Sequence, residues 1–515
     1  MRRDPSFRTA RRIIAAVGIF ILSLAIRFYF VDETSIMPDE PIYVEAGRIY
    51  VDGFKRLDSS YDVWRFNAEH PPVAKLLIGL TQLSFHDILG GDVHALYLSA
   101  RIAPVIIGSL IPLSIYILGS PIYGETTCFI TGLATALSPW MVYHSTLATL
   151  DIFASFFTTL SFLTLYYVKP ENRMHILLGV FSGLAIGSKG TAIICLAGIL
   201  TYHVLIYIFE EERKHISKLL VKLTVSTAIS ILTFIAIWPW LWSNPLERGL
   251  WVLEYHASHM ARGHTTFYAG NVYTHVPPWV SIYIIYVKNP VATTISVILY
   301  IGYTVKALIK RKHSRGDLLI ISWLSGGIAT YASFPIILGD HYILPLAPAI
   351  YLSSIDIAVT IVEGRRAVRR ALGFLLIVST IATLGFGLYR YRESPGAYVS
   401  EVIARGDEAI IMIDTGYEDT ADYIAGIPRD RVTVVATPYS PGILEIDLRR
   451  KGLGGIVAVG MDSIDYADYV SIPVLYARRY GIPKVVLDRF HLVYTVTSGN
   501  TVLTYIFEAN KTTES

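Results

Sequence analysis

Two adjacent acids, Asp39 and Glu40, lie between Pro38 and Pro41 in the stretch SIMPDEPIYVEAGR. Capping explains one of them, because the helix dipole and free backbone N–H groups stabilise a carboxylate where a helix begins. Capping does not explain two. An ionised carboxylate beside a bound substrate acts as a general base that takes a proton from an attacking hydroxyl. We therefore select Asp39 as the candidate base and Glu40 as a catalytic companion that orients substrate.

Three more charged residues lie at the ends of apolar runs. Asp151 begins DIFASFF, Arg101 interrupts LSARIAPVIIG, and Lys189 follows GLAIGS. A charge in hydrocarbon costs a few kcal/mol unless it faces a wet cavity or a partner. We predict a catalytic or orienting role for Asp151 and a lipid phosphate held by Arg101 and Lys189. A structural ion pair is the alternative for Asp151, and snorkelling to the headgroups is the alternative for the two cations.

Several histidines and one more acid lie in segments rich in aromatic residues and proline. Glu69 and His70 precede Pro72 in EHPPVAKLL, where helix initiation is the alternative explanation. The other histidines follow WPWLWSNPLERG without a motif such as HExxH, so a divalent metal site stays only as an alternative. We expect hydrogen bonds to substrate hydroxyls from Glu69, His70, His256, His259 and His264.

A last cluster of polar residues lies in ILGDHYILPLAP, between two apolar runs near the end of the membrane domain. His341 and Tyr342 lie at its centre, and we predict that both help to bind the lipid phosphate. A simple surface loop is the alternative for this segment.

Composition assigns these residues to a membrane protein. The 515 residues are 53% hydrophobic and 17% charged, with a mean hydropathy of +0.48, which leaves too little polar surface for a soluble protein. The net charge of +3 argues against a nucleic-acid partner. Apolar runs of roughly 20 residues predict about eleven transmembrane helices. These are residues 13–31, 95–118, 121–139, 149–168, 174–188, 191–209, 219–242, 290–309, 317–338, 342–362 and 371–390.

The basic residues predict the orientation of these spans. Arg11 and Arg12 belong to a cluster of arginines before the first span, and further basic clusters follow alternate spans. The positive-inside rule then places the N-terminus in the cytoplasm. Segments 32–94 and 243–289, with everything after about residue 391, are external. The candidate acids therefore face outward from a multi-pass protein of the cell membrane.

The cysteine and glutamine content bears on two further properties. Cys128 and Cys195 fall inside predicted spans, so no disulfide framework is implied. Gln82 is the only glutamine, and a scarcity of heat-labile amides is typical of thermophilic proteins. We therefore expect a thermophilic source.

Two of the external segments are long enough to fold. In segment 32–94, Pro41 and Pro72 suit the first turns of two helices with apolar stripes, which we expect to lie on the membrane surface. Segment 243–289 is rich in Trp, Tyr, His and Pro, the composition of an interfacial segment or of a cavity cover.

Residues 391–515 have a different sequence pattern from the preceding spans. They predict a small external α/β domain that follows a membrane domain of residues 1–390. Helical stretches EDTADYIAGI and SIDYADYVSIPVLYARRYG alternate with short apolar runs, and HLVYTVTSGNTVLTYIF predicts a hairpin. No GxGxxG or P-loop motif indicates a nucleotide site, so we expect a structural or acceptor-contacting appendage. The predicted strands are AIIMI at 409–413, VTVVA at 432–436, GIVAVG at 455–460 and KVVL at 484–487.

The external DE, HPPVAKLL, LDIFASFF and GDHYILPLAP occur in an order that resembles a known family. Over roughly residues 10–390 the chain is similar to the dolichyl-phosphate-mannose-protein mannosyltransferases and the related ArnT-type lipid A glycosyltransferases, which share the GT-C fold. It lacks the WWDYG-type motif of oligosaccharyltransferases and the β-trefoil insertion of eukaryotic protein mannosyltransferases.

The resemblance implies transfer of a sugar, mannose being favoured, from a dolichyl or polyprenyl monophosphate to a hydroxyl outside the cytoplasm. The acceptor is a protein, a lipid-linked glycan or a membrane lipid, and the enzyme works among membrane lipids. One displacement at the sugar inverts its anomeric centre and needs a base, for which we expect Asp39. Cations hold the departing phosphate, so no cofactor or metal is obligatory.

Two other function classes compete with this interpretation. A transporter or flippase for a lipid carrier also has charged residues in its spans, but it would show broken helices near the middle of the membrane. A scaffold presented by the C-terminal domain would leave the external acids without a role.

Overall fold

The computed structural model describes residues 5–169, 173–210, 216–410, 414–428 and 432–510. Helices form most of the first 390 residues. They are α1 Pro5–Phe30, α2 Glu40–Lys55, α3 Tyr61–Trp64, α4 Val73–Phe85, α5 Val93–Tyr123, α6 Glu125–Leu137, α7 Pro139–Ser145, α8 Asp151–Tyr166, α9 Met174–Ser188, α10 Ile194–Phe209, α11 Ile216–Ala236, α12 Pro239–Trp242, α13 Pro245–Arg262, α14 Val280–Val287, α15 Val291–Ile309, α16 Arg315–Ala332, α17 Ala347–Val362 and α18 Ala367–Arg390.

The described ranges include six helical segments that are long and apolar enough to cross a membrane. They are Thr9–Phe30, Val93–Tyr123, Gly190–Phe209, Val291–Ile309, Asp340–Val362 and Ala367–Arg390. Four shorter apolar helices accompany them: Val73–Phe85, Asp151–Tyr166, Met174–Ser188 and Leu220–Ala236. The prediction of a polytopic helical membrane protein is confirmed, whereas the number of eleven spans stays a prediction.

The two helices predicted in the first external segment are present. α2 has Asp39 at its N-cap, and α4 follows Pro72. The helices cross where Gly47 meets Gly79, because a Cβ on Gly79 would lie 2.1 Å from the Gly47 carbonyl oxygen. Only glycine permits backbones to approach this closely. This crossing fixes α2, and with it the position of the acids at its start.

The C-terminal domain is built on a five-stranded mixed sheet. Its order is β4-β3-β5-β7-β6, with β3 parallel to both β4 and β5, and with β7 antiparallel to both β5 and β6. The strands are β3 Val434–Ala436, β4 Val457–Val459, β5 Tyr469–Pro473, β6 Phe490–Ser498 and β7 Thr501–Ala509. The helices are α19 Gly406–Ala409, α20 Tyr417–Ala425, α21 Pro441–Arg450, α22 Val474–Tyr480 and α23 Lys484–Arg489. The predicted terminal hairpin corresponds to β6 and β7.

Two predictions in this domain are wrong. KVVL forms the start of helix α23 rather than a strand: the helix follows Pro483, and Val486 is its one buried residue, so burial does not alternate along it as in a half-buried strand. The stretch predicted as one long helix contains β5, in which all five residues are buried. A strand covered on both faces has no alternation, so its apolar run cannot be told from a buried helix by pattern.

Segment 243–289 contributes a β-hairpin that joins the C-terminal domain. The hairpin consists of β1 Thr266–Tyr268 and β2 Asn271–Tyr273, and Tyr268 forms a bridge with Ile410. Residues 411–413 of the predicted strand AIIMI lie outside the described residues. The segment thus contacts the C-terminal domain through this hairpin, and its role as a cavity cover or an interfacial segment stays a prediction.

Direct contacts hold the C-terminal domain on the segment that leads to Asp39. The Arg450 Nη2 donates to the carbonyl oxygen of Asp32 at 2.9 Å, and the backbone N–H of Glu418 donates to Ser35 Oγ at 3.3 Å. The C-terminal domain and the segment that leads to Asp39 therefore pack against each other.

Gly79→Ala should destabilise the protein by about 1–3 kcal/mol, since the new methyl group forces α2 and α4 apart. Thermal unfolding in detergent measures the effect. The matched control is Gly249→Ala in α13, where nothing lies within 4 Å of the added Cβ. Equal melting temperatures for the two variants would contradict the close crossing of α2 and α4.

Candidate active site

Arg101 of α5 is buried, with only 1% of its surface exposed, and all five of its N–H groups donate. Its guanidinium forms a bidentate ion pair with Glu40, with distances of 2.9 Å from Nε to Oε1 and 2.8 Å from Nη2 to Oε2. The other three N–H groups donate over 2.8–3.2 Å to the backbone carbonyl oxygens of Val31, Thr34 and Ser35. A guanidinium has five N–H groups in all, so none remains for a phosphate.

Glu40 is fully buried and fastens three parts of the chain together. Besides Arg101, its carboxylate accepts the backbone N–H of Met37 at 2.9 Å and that of Ala148 at 2.7 Å. These bonds connect the start of α2, helix α5 and the segment before α8. The geometry corrects two predictions: Glu40 is not accessible to substrate, and Arg101 has no donor for a phosphate. Both are positioning residues.

Asp39, the neighbouring acid, has the opposite environment. Its side chain is exposed, makes no capping hydrogen bond, and has no ion-pair partner within the described ranges. Protein nevertheless surrounds it on most sides, as in an open cavity, and this desolvation raises the pKa of the Asp39 carboxyl above its ordinary value. The charges of Lys189, Asp151 and His264 lie close enough to act on it. Asp39 is thus a carboxylate without a bonded partner in the described ranges, and we call the charged surroundings that it shares with Lys189, Asp151 and His264 the cavity.

Lys189 and Asp151 form an ion pair at this cavity. The Lys189 Nζ lies 2.6 Å from Asp151 Oδ1, and both side chains are largely buried. The same Nζ lies 5.0 Å from the centroid of the Tyr342 ring. An ammonium group has three N–H donors, and in the described part of the chain only Asp151 accepts from it. Lys189 therefore retains donors for a ligand, whereas Asp151 holds Lys189 in position.

A second buried network supports Tyr342 from the neighbouring turn. Asp340 Oδ1 lies 3.2 Å from His144 Nε2, and Asp340 Oδ2 lies 3.0 Å from Lys288 Nζ. His341 is buried beside it, with ring centroids 6.1 Å from His144 and 4.8 Å from Tyr342. This network fixes the 3₁₀ helix Asp340–Leu346, and Tyr342 is its partly exposed member.

Lys75 organises the segment that contains Glu69 and His70. It is fully buried in α4, and its Nζ donates to the carbonyl oxygen of His70 at 2.7 Å and to both oxygens of Asn67 at 2.8 and 3.0 Å. His256 of α13 approaches from the other side, with its Nε2 2.8 Å from the Glu69 carbonyl oxygen. Burial lowers the pKa of His70 well below its ordinary value, so this ring is neutral at pH 7.

Two further histidines lie at the end of α13. The ring centroids of His259 and His264 are 5.7 Å apart, and the His259 ring stacks on Tyr255 at 6.3 Å. Burial lowers the pKa of His259. His264 is exposed and is the member of the pair whose charge reaches Asp39. Both groups are available for hydrogen bonds at the cavity rim.

One family model matches the chain. Residues 69–240 match the model of the dolichyl-phosphate-mannose-protein mannosyltransferases. The matched segment contains Lys189 and Asp151 and begins after Asp39. No sequence match was found among curated proteins.

Solved structures resemble the whole chain. ArnT from Cupriavidus metallidurans, bound to undecaprenyl phosphate, aligns with a TM-score of 0.53 at 14% identity over 99% of both chains. The oligosaccharyltransferase of Archaeoglobus fulgidus, tethered to an acceptor peptide, aligns with a TM-score of 0.53 at 11% identity, over 99% of this chain and 75% of that one. The chain has the GT-C fold. The predicted resemblance is therefore confirmed at the level of the fold.

Within the described residues, no group of three or more His, Cys, Asp or Glu side chains is arranged to hold a metal ion. The histidines of the cavity bond instead to backbone oxygens and stack on aromatic rings. Their donor set therefore fits hydrogen bonding to hydroxyl groups.

Three residues that build the candidate site were not predicted from the sequence: Lys75, His144 and Lys288. Lys75 lies in HPPVAKLL and His144 lies in SPWMVYHS, where a single polar residue among apolar ones indicated no partner. Lys288 pairs with Asp340 across more than fifty residues, which no local pattern indicates. A charged residue on an apolar helix stripe was the available signal for Lys75.

Glu40→Gln should lower the free energy of unfolding by about 3–5 kcal/mol, because it leaves the buried Arg101 charge without its counter-ion. Thermal unfolding in detergent measures this change. Glu45→Gln is the matched control on the same helix, since Glu45 pairs with Arg48 at the exposed surface. The control should cost less than about 1 kcal/mol. Equal losses would remove the Glu40–Arg101 pair as the anchor of α2.

Proposed function

We propose that this protein is a membrane glycosyltransferase that passes a sugar from a dolichyl or polyprenyl monophosphate to an acceptor hydroxyl outside the cytoplasm. One observation carries the proposal. The unpaired carboxylate of Asp39 shares a cavity with Lys189, an ammonium group that retains hydrogen-bond donors. A base and a cation in one cavity match the two needs of a displacement at a sugar phosphate.

In the proposed reaction Asp39 takes the proton of the acceptor hydroxyl. The acceptor oxygen then forms a bond to the anomeric carbon while the bond from that carbon to the phosphate oxygen breaks. The lipid phosphate leaves with the bonding electron pair and gains negative charge. Lys189 and the Tyr342 hydroxyl stabilise this charge, with Asp151 and His341 holding them in position. A single displacement inverts the anomeric centre.

The environment of Asp39 fits the role of a base. A carboxylate of ordinary pKa is a weak base at neutral pH, and a raised pKa brings it closer to the value that proton transfer favours. The Asp39 carboxylate is exposed, and among the described residues none donates a hydrogen bond that would occupy its lone pairs. Glu40, by contrast, has both oxygens occupied.

The lipid carrier is supported by proteins of the same fold. ArnT from Cupriavidus metallidurans was solved with undecaprenyl phosphate, and the Archaeoglobus fulgidus oligosaccharyltransferase with dolichol-phosphate and an inhibitory peptide. The description of the matched family favours mannose. Transfer of another sugar to a lipid or lipid-linked glycan, as in ArnT-type enzymes, is the alternative, and a protein acceptor stays open. We assign Glu69, His70, His256, His259 and His264 to acceptor or sugar hydroxyls.

Orientation follows from the basic N-terminal segment. Arg11 and Arg12 pair with Glu125 at one end of the bundle, at 2.7 and 2.5 Å. The positive-inside rule supports a cytoplasmic position for this end. Asp39, the hairpin of β1 and β2, and the C-terminal domain would then lie on the extracytoplasmic side, in the membrane of the cell.

Asp39→Asn should lower sugar transfer by about 100-fold or more, since general base catalysis contributes about 10²–10⁴-fold. The assay follows radiolabelled sugar from dolichyl-phosphate donors in reconstituted vesicles, with mannose, glucose and aminoarabinose carriers compared for the wild type. Asp52→Asn, an exposed acid on the same helix, is the control and should transfer normally. Unchanged transfer by Asp39→Asn would remove it as the base, and no transfer by the wild type from any donor would oppose the proposed reaction.

The pH profile of transfer provides a second signature of the same group. Only the deprotonated Asp39 accepts a proton, so the rate should fall as pH drops through its pKa. Because that pKa is raised, the midpoint should lie above the ordinary value of about 4. The residual activity of Asp39→Asn should lack this acid limb. An acid limb that persists in the variant belongs to another group and would contradict the assignment.

A further inference from the structure

Residues 31–37, which we call the entry segment, lead from α1 towards Asp39 and contain neither a helix nor a strand. Side chains from other parts of the protein hold this segment. From the membrane domain, Arg101 donates to three of its carbonyl oxygens over 2.8–3.2 Å. A stretch of backbone outside helices and sheets takes its conformation from such contacts, because its polar groups have no regular partners. The position of Asp39, two residues after the segment, therefore depends on the groups that hold it.

The C-terminal domain holds the entry segment at two further points. Arg450 of α21 donates from Nη2 to the carbonyl oxygen of Asp32 at 2.9 Å. The backbone N–H of Glu418 in α20 donates to Ser35 Oγ at 3.3 Å, and Ser35 is buried. The entry segment is thus held between two arginines, Arg101 from the membrane domain and Arg450 from the C-terminal domain.

The Arg450 guanidinium divides its donors between its own domain and the entry segment. Its Nη1 lies 2.9 Å from Asp447 Oδ1 and 3.3 Å from Glu418 Oε2, and all three side chains are buried. Its Nη2 reaches out of the domain, to the carbonyl oxygen of Asp32 at 2.9 Å and to the Asp32 carboxylate at 3.7 Å. Because the two buried acids already compensate the charge of Arg450, the bond from Nη2 serves to hold the segment.

We propose that Arg450 is a positioning residue for the transfer reaction, which acts on Asp39 through the entry segment and does not touch substrate. The bonded groups run from Arg450 to the Asp32 carbonyl, along the segment to the carbonyls that Arg101 binds, and through Arg101 to Glu40, beside Asp39. A base must lie within hydrogen-bond reach of the hydroxyl that it deprotonates. This inference rests on the proposed transfer reaction and gives the C-terminal domain a part in placing the base.

Arg450→Lys is the variant that tests this role. Lysine keeps a cation beside the two buried acids, but its single nitrogen cannot occupy the places of both Nη1 and Nη2, so the contact with Asp32 is lost. The matched control is Arg449→Lys, which changes the neighbouring residue of α21, an exposed arginine that pairs with Glu445. A second variant, Ser35→Ala, removes the acceptor of the other contact and leaves Arg450 unchanged.

We expect Arg450→Lys to lower kcat for sugar transfer in reconstituted vesicles about 10-fold or more, since a misplacement of about 1 Å costs up to about 100-fold. The KM for the lipid-phosphate donor should not change, because Lys189 still binds the phosphate. Hydrogen exchange of the protein in detergent should be faster over residues 31–40, where the N–H groups of Met37 and Glu40 are bonded within the wild-type stretch. Ser35→Ala should show the same changes, and Arg449→Lys should show neither.

An unchanged kcat in Arg450→Lys would overturn the proposal, and so would a lower kcat with unchanged exchange over residues 31–40, because the effect would not pass through the entry segment. A raised KM with normal kcat would also contradict it, since the residue would then act on donor binding. If Arg450→Lys unfolds, Ser35→Ala decides by the same two measurements. Loss of transfer in Asp39→Asn together with normal kcat in Arg450→Lys would overturn this inference alone and leave the proposed reaction intact.

Discussion

The buried ion pair of Glu40 and Arg101 is the interaction on which the site depends. Every N–H of the guanidinium and both oxygens of the carboxylate are hydrogen-bonded, so two charges are held away from water with full compensation. Asp39 stands one residue before Glu40, and Ala148 stands three residues before Asp151. One pair therefore sets the position of the candidate base and of the acid that holds Lys189.

Charged residues of the cavity divide into those that are paired and those that are not. Glu40, Asp151 and Asp340 each have a cation, and these pairs fix helices or turns. Asp39 has no partner of opposite charge within the described residues. Because an unpaired charge in such surroundings is costly, Asp39 is the side chain at which substrate chemistry is expected. The paired acids hold helices and turns in place, whereas the unpaired carboxylate of Asp39 is available to react.

Sequence alone predicted the elements whose signals are local. Local signals were sufficient to predict three kinds of element: helices α2 and α4 from the prolines at their starts, the long apolar helices, and the terminal hairpin from its turn. Sequence patterns do not predict the role of a residue whose partner is distant along the chain. Arg101 was predicted to be free to bind a phosphate, because nothing in the local sequence indicates its ion pair with Glu40. Lys75 was likewise placed only on the stripe of a helix. Strand β5 was not predicted for another reason: burial on both faces removes the alternation of apolar and polar residues that identifies a strand.

The most direct test of this account is a structure of the protein with undecaprenyl phosphate bound. The account predicts that a phosphate oxygen lies within about 3 Å of Lys189 Nζ, with the Asp39 carboxylate open to the same cavity and Arg101 still paired to Glu40. A phosphate held by other residues, with Lys189 still bonded only to Asp151, would contradict it.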